Sequence, residues 1–256
     1  MKLTGKDILL VDKPAGMSSF GVVARVRRIY TEQRREQTPE LKRAKVGHAG
    51  TLDPFATGLL ICLLGKATKR AGEFLKLDKR YTATICLGKV SSTGDVEGEI
   101  LEYSPSGVPV VRPVVTGELP TLRSRCREKP PEGYIPSISQ VQQVLEQFTG
   151  QIVQKVPAYS AVKIDGRRAY DLARKGIEVE MPERKVTIYD ISVVRYEWPE
   201  LVIDCKVSSG TYIRALGEDI GKALGVGGYL TALRRTEIGE YKVSDAVTLA
   251  DLGIES

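Results

Sequence analysis

The single histidine of the chain stands five residues before an aspartate, in Gly47-His48-Ala49-Gly50-Thr51-Leu52-Asp53-Pro54. A lone Asp-Pro is ordinarily a turn whose side chain bonds its own backbone. Here Gly47, Gly50 and Gly58 surround it, and the apolar run Leu59 to Leu64 follows. Glycines let backbone and ligand approach closely. A carboxylate and a small aromatic ring on such a turn suit a flat, polar ligand.

Other chemistries fit the residues poorly. A Ser-His-Asp or Cys-His site would have to use His48 as its base, and no Gly-x-Ser-x-Gly is present. Six residues separate Gly58 from Gly65, and Ala67 follows Lys66, so a phosphate-binding P-loop fails on spacing. Gly-Val-Gly-Gly at 225 to 228 comes after a helical pattern and before a strand pattern, the wrong order for a dinucleotide site. The four cysteines, Cys62, Cys86, Cys126 and Cys205, form no Cys-x-x-Cys, and one histidine does not complete a usual zinc set. No metal or cofactor is expected.

The elements that must position the turn can be read from periodicity. Ile8 to Val11 reads as a strand ended by Lys13-Pro14. Val22, Val23, Val26 and Tyr30 recur at helical spacing, with Ser18 or Ser19 as the cap. A charged stretch from Thr31 to Lys45 reads as a solvated excursion, and His48 as part of a glycine loop. Leu59 to Leu64 reads as a buried strand, residues 66 to 77 as a basic amphipathic helix, and a strand starts at Lys79. Residues 104 to 137 hold seven of the thirteen prolines and read as a long insertion. A helix over 138 to 148, an Asp165-Gly166 turn with a short basic helix, two strands, a helix ending at Gly225 and a last strand complete the chain. Helices and strands mix without a strict alternation, so the expected fold class is α+β with a mixed, mostly antiparallel sheet.

Composition is that of an ordinary globular protein: 256 residues, 42% hydrophobic and 27% charged, with a net charge of +6. The basic residues cluster at 25 to 28, 66 to 80 and 167 to 175, a distribution that favours an anionic polymer more than the net charge does. The polar N-terminus and the lack of an apolar run approaching 18 residues point away from the membrane. The core-like cysteines point to a reducing, cytoplasmic setting.

The motif around Asp53 resembles the signature of the TruB family of tRNA pseudouridine synthases. Further blocks are similar, in the family's order: VDKPAGMSS at 11 to 19, KRYTATICLG at 79 to 88, KVPAYSAVKIDGRRAYDLARKG at 155 to 176, GTYIRALGEDIGKALG at 210 to 225, and LRRTEIGEY at 233 to 241. The resemblance implies the pseudouridine synthase fold and isomerisation of a tRNA T-loop uridine, conventionally numbered 55, without cofactor or metal. By the same carry-over Asp53 is the catalytic aspartate. His48 fills the space left by the extruded base. Tyr81 stacks on the target base and is positioned for proton abstraction, and Arg214 pairs with the aspartate. Tyr212 and Leu233 belong to the pocket, and Lys13 lies close to it. Attack by Asp53 on the uracil ring and attack on the sugar C1′ both remain open.

The sequence departs from the family pattern where KVSSTGDVEGE follows Gly88 in place of the usual Thr-Asp-Thr run, although Asp95 and Gly98 survive. The Pro-rich stretch is longer than the family core requires. The sequence runs only a few residues past AVTLADLG, so no C-terminal PUA-type RNA-binding domain is expected. A single catalytic domain over 1–256 is expected, acting as a monomer on the T stem-loop of tRNA. The alternatives are a tRNA-folding chaperone and a guide-dependent subunit acting on ribosomal RNA.

Overall fold

A computed structural model describes residues 1–103, 134–164, 166–177 and 179–254. Most of the Pro-rich stretch and Asp165 of the expected turn lie outside the described residues. The elements in chain order are β1 (Ile8–Lys13), α1 (Ser19–Arg35), β2 (Val46–Ala49), β3 (Thr57–Leu64), a 3-10 turn at Gly65–Arg70, α2 (Ala71–Leu75) and β4 (Lys79–Leu87). Then come β5 (Lys89–Ser91), β6 (Ile100–Glu102), α3 (Ile138–Gln147), β7 (Gly150–Lys155), β8 (Lys163–Ile164), β9 (Arg167–Arg168) and α4 (Ala169–Ala173). β10 (Glu183–Glu197), β11 (Glu200–Val207), α5 (Ile213–Ala223), β12 (Gly228–Ile238) and β13 (Tyr241–Lys242) follow. In hydrogen-bonded order the largest sheet reads β1-β3-β12-β4-β11-β10-β7, with β2 on β3 and β13 on β12. β3 and β12 run parallel, whereas β1–β3, β2–β3, β12–β13, β10–β11 and β10–β7 are antiparallel. The expected α+β class and its mixed, mostly antiparallel sheet are borne out.

The chain divides into two compact units: Met1–Thr82 with Leu233–Ser256, and Ala83–Ala232. In the first, β3 explains its own composition. Leu60, Cys62 and Leu64 pack with Leu9, Val11 and the apolar stripe of α1, while Leu59, Ile61 and Leu63 pack with Ala49, Phe74 and Ile238. A strand buried on both faces needs no polar alternation, hence the unbroken apolar run. Burial pushes the Cys62 thiol up to about 12, so it is an inert core group.

Ser18 caps α1, its side chain accepting from the Gly21 amide, and Val22, Val23, Val26 and Tyr30 form the buried stripe. The helix outruns the expected apolar pattern because Thr31 and Arg35 fix the charged stretch to it. Thr31 Oγ1 donates to the Arg27 carbonyl and accepts from the Ala44 amide, while the Arg35 guanidinium donates to the carbonyls of Leu41 and Lys42. The stretch read as a solvated excursion is therefore partly helix and partly tied back. Residues 66 to 77 also differ from the expected single helix. Thr68 Oγ1 bonds the Gly65 carbonyl in the 3-10 turn, and the Lys79 ammonium takes the carbonyls of Leu75 and Leu77 at the far end. Only five residues are left for α2.

In the second unit, α5 lies against β12. Gly217 faces Leu230 and Ile85, and a Cβ at Gly221 would strike the main chain of Gly227 and Gly228. The glycines at 225 to 228 thus serve close helix–strand packing and a left-handed turn at Gly225 and Gly227.

Gly58 has φ +102, and a Cβ there would land on the main chain of Arg235. Gly58→Ala is expected to destabilise the protein by about 2 kcal/mol or more, from backbone strain plus displacement of β12. Chemical denaturation checks this; a stability within about 0.5 kcal/mol of wild type would contradict the packing described.

Candidate active site

Asp53 lies in the loop joining β2 to β3, and the main chain of that loop is held by side chains from elsewhere in the first unit. Ser19 Oγ donates to the Leu52 carbonyl at 3.0 Å and accepts from the Leu52 amide at 2.8 Å. On the other side of Asp53, the Pro54 carbonyl accepts from the Gly16 amide at 2.8 Å and from the Lys13 ammonium at 3.1 Å. Lys13 also donates to the carbonyls of Met17 at 2.6 Å and Pro14 at 2.8 Å. Arg235 Nε donates to the Leu59 carbonyl at 2.8 Å, and its Nη2 to the Gly50 carbonyl at 3.0 Å. The Ala56 amide closes a turn on the Asp53 carbonyl at 3.1 Å.

Two of these clamps are buried cations: Lys13 is 0% exposed and Arg235 1%. Burying a charge costs free energy unless hydrogen bonds replace its hydration, and here carbonyls supply them. Lys13 is thus an anchor of the turn around Asp53, inaccessible from solvent. Arg235 is adjacent in sequence to Arg234, which takes the opposite direction. The Arg234 guanidinium is bidentate on Asp12, at 3.0 and 2.7 Å.

His48 does not sit in a loop. It belongs to β2, opposite Cys62 of β3, because Gly47 and Ala49 continue the ladder. The ring is half-buried, and its Nδ1 is buried without a hydrogen-bond partner among the described residues. Burial, and then the nearby Arg235 guanidinium, hold its pKa below the ordinary 6.5, so the imidazole is neutral at neutral pH. Tyr81 on β4 and Leu233 on β12 are both buried. Tyr81 points the same way as Lys79, two residues earlier on the strand. Burial, followed by the Arg235 charge, lowers the Lys79 ammonium to about 8.

The second unit holds Arg214 and Tyr212. Arg214 opens α5 and is 6% exposed. Its Nη1 donates to Asp95 Oδ2 at 3.1 Å and to the Thr93 carbonyl at 3.0 Å, and its Nη2 to the Tyr159 carbonyl at 2.8 Å. Asp95 is buried too, and its Oδ1 accepts from Thr93 Oγ1 at 2.7 Å and the Glu97 amide at 3.0 Å. Tyr212 is fixed through its backbone. Gln154 Oε1 accepts from its amide at 3.0 Å, and Gln154 Nε2 donates to its carbonyl at 3.1 Å. Its half-buried ring packs on the cluster of Val156, Ala169 and Met181.

Five of the seven expected residues, Lys13, His48, Asp53, Tyr81 and Leu233, therefore fall in the first unit, and Arg214 and Tyr212 in the second. Sequence reasoning did not assign three positioning groups. Asp95 carried a signal, as an acidic residue surviving in an altered block. Ser19 carried a weaker one, as the second of two serines competing for one cap. Arg235 gave none, because an arginine in a strand ordinarily reads as a solvated residue.

The single imidazole makes one test clean. Its NMR titration should give a pKa below 6.5. The unfolded chain then takes up a proton before the folded one as pH falls, so stability is present above 6.5 and is lost below it. The melting temperature of wild type should drop relative to that of His48→Asn between pH 7 and pH 5; a pKa at or above 6.5 would contradict the burial described. Asp95→Asn removes a buried ion pair from Arg214 and should cost about 3 kcal/mol, read by denaturation. A neutral effect would mean that the other contacts of Arg214 satisfy it.

Among the described residues no helix is long and apolar enough to cross a membrane. Residues 37–133 and 133–213 match the TruB family pseudouridylate synthase (N terminal domain), and residues 214–254 match the tRNA pseudouridylate synthase B C-terminal domain. The chain is 42% identical to tRNA pseudouridine synthase B of Bordetella avium (strain 197N), over 94% of this chain and 84% of that protein. It is 41% identical to the protein of the same name from Nitrosococcus oceani, over 98% of this chain and 70% of the relative. Among solved structures it is similar to a chain of a Cbf5-Nop10-Gar1 complex, with TM-score 0.61, 28% identity, and coverage of 97% of this chain and 57% of that one. A chain of the archaeal box H/ACA sRNP Nop10-Cbf5 complex matches with TM-score 0.58 and 26% identity, over 96% of this chain and 52% of that one. This chain thus spans little more than half the length of those two. With residues 37–254 covered by the two family matches, the chain belongs to the TruB family of pseudouridylate synthases.

Proposed function

We propose that the protein isomerises the T-loop uridine of tRNA, at the conventional position 55, to pseudouridine, with Asp53 as nucleophile. The observation that carries this is the Asp53 loop itself, a carboxylate on a turn whose backbone is fixed on both sides by Ser19, Lys13 and Arg235. Fixing a reacting group before substrate arrives removes entropy and reorganisation from the barrier. The relatives' name, tRNA pseudouridine synthase B, supports the substrate class.

Uridine and pseudouridine are isomers, so the chemistry is a rearrangement. The N1–C1′ bond breaks, the base turns, and a C5–C1′ bond forms. The C5 proton leaves and N1 gains one, so no atoms or electrons are gained or lost. A nucleotide in a folded loop must be extruded before a side chain reaches these atoms. A neutral His48 suits the emptied space, since an imidazolium there would bring an uncompensated charge. Tyr81 stacks on the base and takes the C5 proton. Arg214, gripped by Asp95 and two carbonyls, presents a guanidinium whose position is set before RNA binds. A planar fork fixed in this way suits an anionic group better than a lysine would. Leu233 lines the base pocket and Lys13 positions the nucleophile's loop; Tyr212 is the residue to which the family resemblance gives a base contact. The T stem-loop is the recognised element, read through its shape and unstacked bases. The protein works as a monomer in the cytoplasm, a setting that its buried thiols Cys62, Cys86 and Cys205 fit.

Asp53→Asn should bind tRNA almost as wild type does and form no pseudouridine. Turnover by this variant, with reversion by deamidation excluded, would remove the nucleophile role. Tyr81→Phe keeps the ring and loses the hydroxyl, and its rate should fall by roughly 10²–10⁴-fold with little change in binding. A rate near wild type would leave Tyr81 as a stacking surface only.

A further inference from the structure

We infer that Phe20 and Arg27 form a second nucleotide subsite, in which an unpaired base of the bound tRNA stacks on Phe20 and its phosphate meets the Arg27 guanidinium. This rests on tRNA being the substrate. Phe20 is 64% exposed, the highest exposure of any large hydrophobic side chain among the described residues. It is the second residue of α1 and faces away from the buried stripe. The ring is nevertheless held in place. The Arg27 guanidinium, two helical turns on, lies over it at 5.6 Å from the centroid. Arg27 is itself fixed by donating to the Val46 carbonyl of β2 at 3.0 Å.

The charge around this ring is uncompensated. Among the described residues no ion pair joins Arg27 to a carboxylate; its guanidinium is fixed only on a carbonyl. A guanidinium without an anionic partner favours an anionic ligand, and its fork matches phosphate oxygens. The exposed aromatic ring beneath it adds a flat apolar surface. Ring and cation together fit a nucleotide, because bases extruded from RNA loops stack on aromatic side chains and arginine planes.

The subsite is also tied to the proposed catalytic loop. Phe20 follows Ser19, whose hydroxyl bonds both the amide and the carbonyl of Leu52, the residue before Asp53. Arg27 bonds Val46, two residues before His48 on the same strand. A base seated on Phe20 is therefore registered against the Asp53 turn through one side-chain bridge. Neither residue belongs to the proposed catalytic set, so the subsite acts on binding and on placement of the RNA.

The test uses the full chain and an unmodified full-length tRNA transcript. Phe20→Ala should raise Kd about tenfold through lost stacking, with kcat at saturating tRNA and melting temperature unchanged. Phe20→Trp should bind like wild type, and its added indole emission should be quenched by tRNA beyond the change seen for Trp198 alone. Phe20→Leu, apolar but not flat, should bind as poorly as the alanine variant. Arg27→Gln should lower the slope of log Kd against log salt by roughly 0.7–0.9, the loss of one phosphate contact. A Phe20→Ala variant with wild-type affinity, or a leucine variant that binds as well as phenylalanine, would overturn the subsite. Binding is read whether or not product forms. A wild-type protein that binds tRNA through Phe20 yet makes no pseudouridine would overturn the proposed activity and leave the subsite standing.

Discussion

Two buried cations hold the backbone on which the proposed chemistry rests. Lys13 and Arg235 are removed from water and hydrogen-bond carbonyls on either side of Asp53: Pro54 for one, Gly50 and Leu59 for the other. A buried ammonium or guanidinium left without such partners would be strongly unfavourable, so the carbonyls cannot drift without a large cost. The loop is in that sense over-determined, and Ser19 adds a neutral bridge at Leu52. The Arg235 charge reaches further. It helps keep His48 neutral and lowers the Lys79 ammonium, so one side chain sets both the shape and the charge state of the first unit's site.

The rest of that unit follows from placing Arg235. It stands on β12 where that strand runs beside the start of β3, with Arg235 registered opposite Gly58. Only a residue without Cβ fits there, so Gly58 is as much a part of the loop as Asp53 is. β3 then runs straight into the core, buried on both faces, and carries the loop's far end rigidly. Its near end is tied to β2, and α1 is docked over the same strand by Val22, Val23, Val26 and Tyr30. In the second unit Arg214 is prepared by a different device, an ion pair with Asp95 inside a shell of carbonyls.

Much of this was legible in the residues. The period of Val22, Val23, Val26 and Tyr30 places α1. The unbroken apolar run from Leu59 places β3, and Lys79 marks the first residue of β4. Asp53 stands out because glycines crowd around it. What stayed hidden depends on long-range partners. His48 reads as a loop residue until its ladder partner Cys62 is known. Arg35 and Thr31 read as solvated until they are seen to grip the chain at Leu41, Lys42 and Ala44. The Arg214–Asp95 pair joins residues 119 apart, a separation that no local pattern reports. Lys13 was flagged through family resemblance, but its burial was not, since a lysine before a proline ordinarily faces water. Tertiary pairing decided each of these, because buried polar groups are satisfied by whichever partner the fold delivers.

The buried cations, the Ser19 bridge and the glycine at 58 together provide a pre-fixed carboxylate, which we propose serves uridine isomerisation in tRNA. The most direct measurement maps pseudouridine, nucleotide by nucleotide, in an unmodified tRNA transcript before and after incubation with the purified protein alone. A single new pseudouridine is expected at the T-loop uridine, formed without added metal or cofactor. A transcript that stays unmodified, or one modified only outside the T-loop, would contradict it.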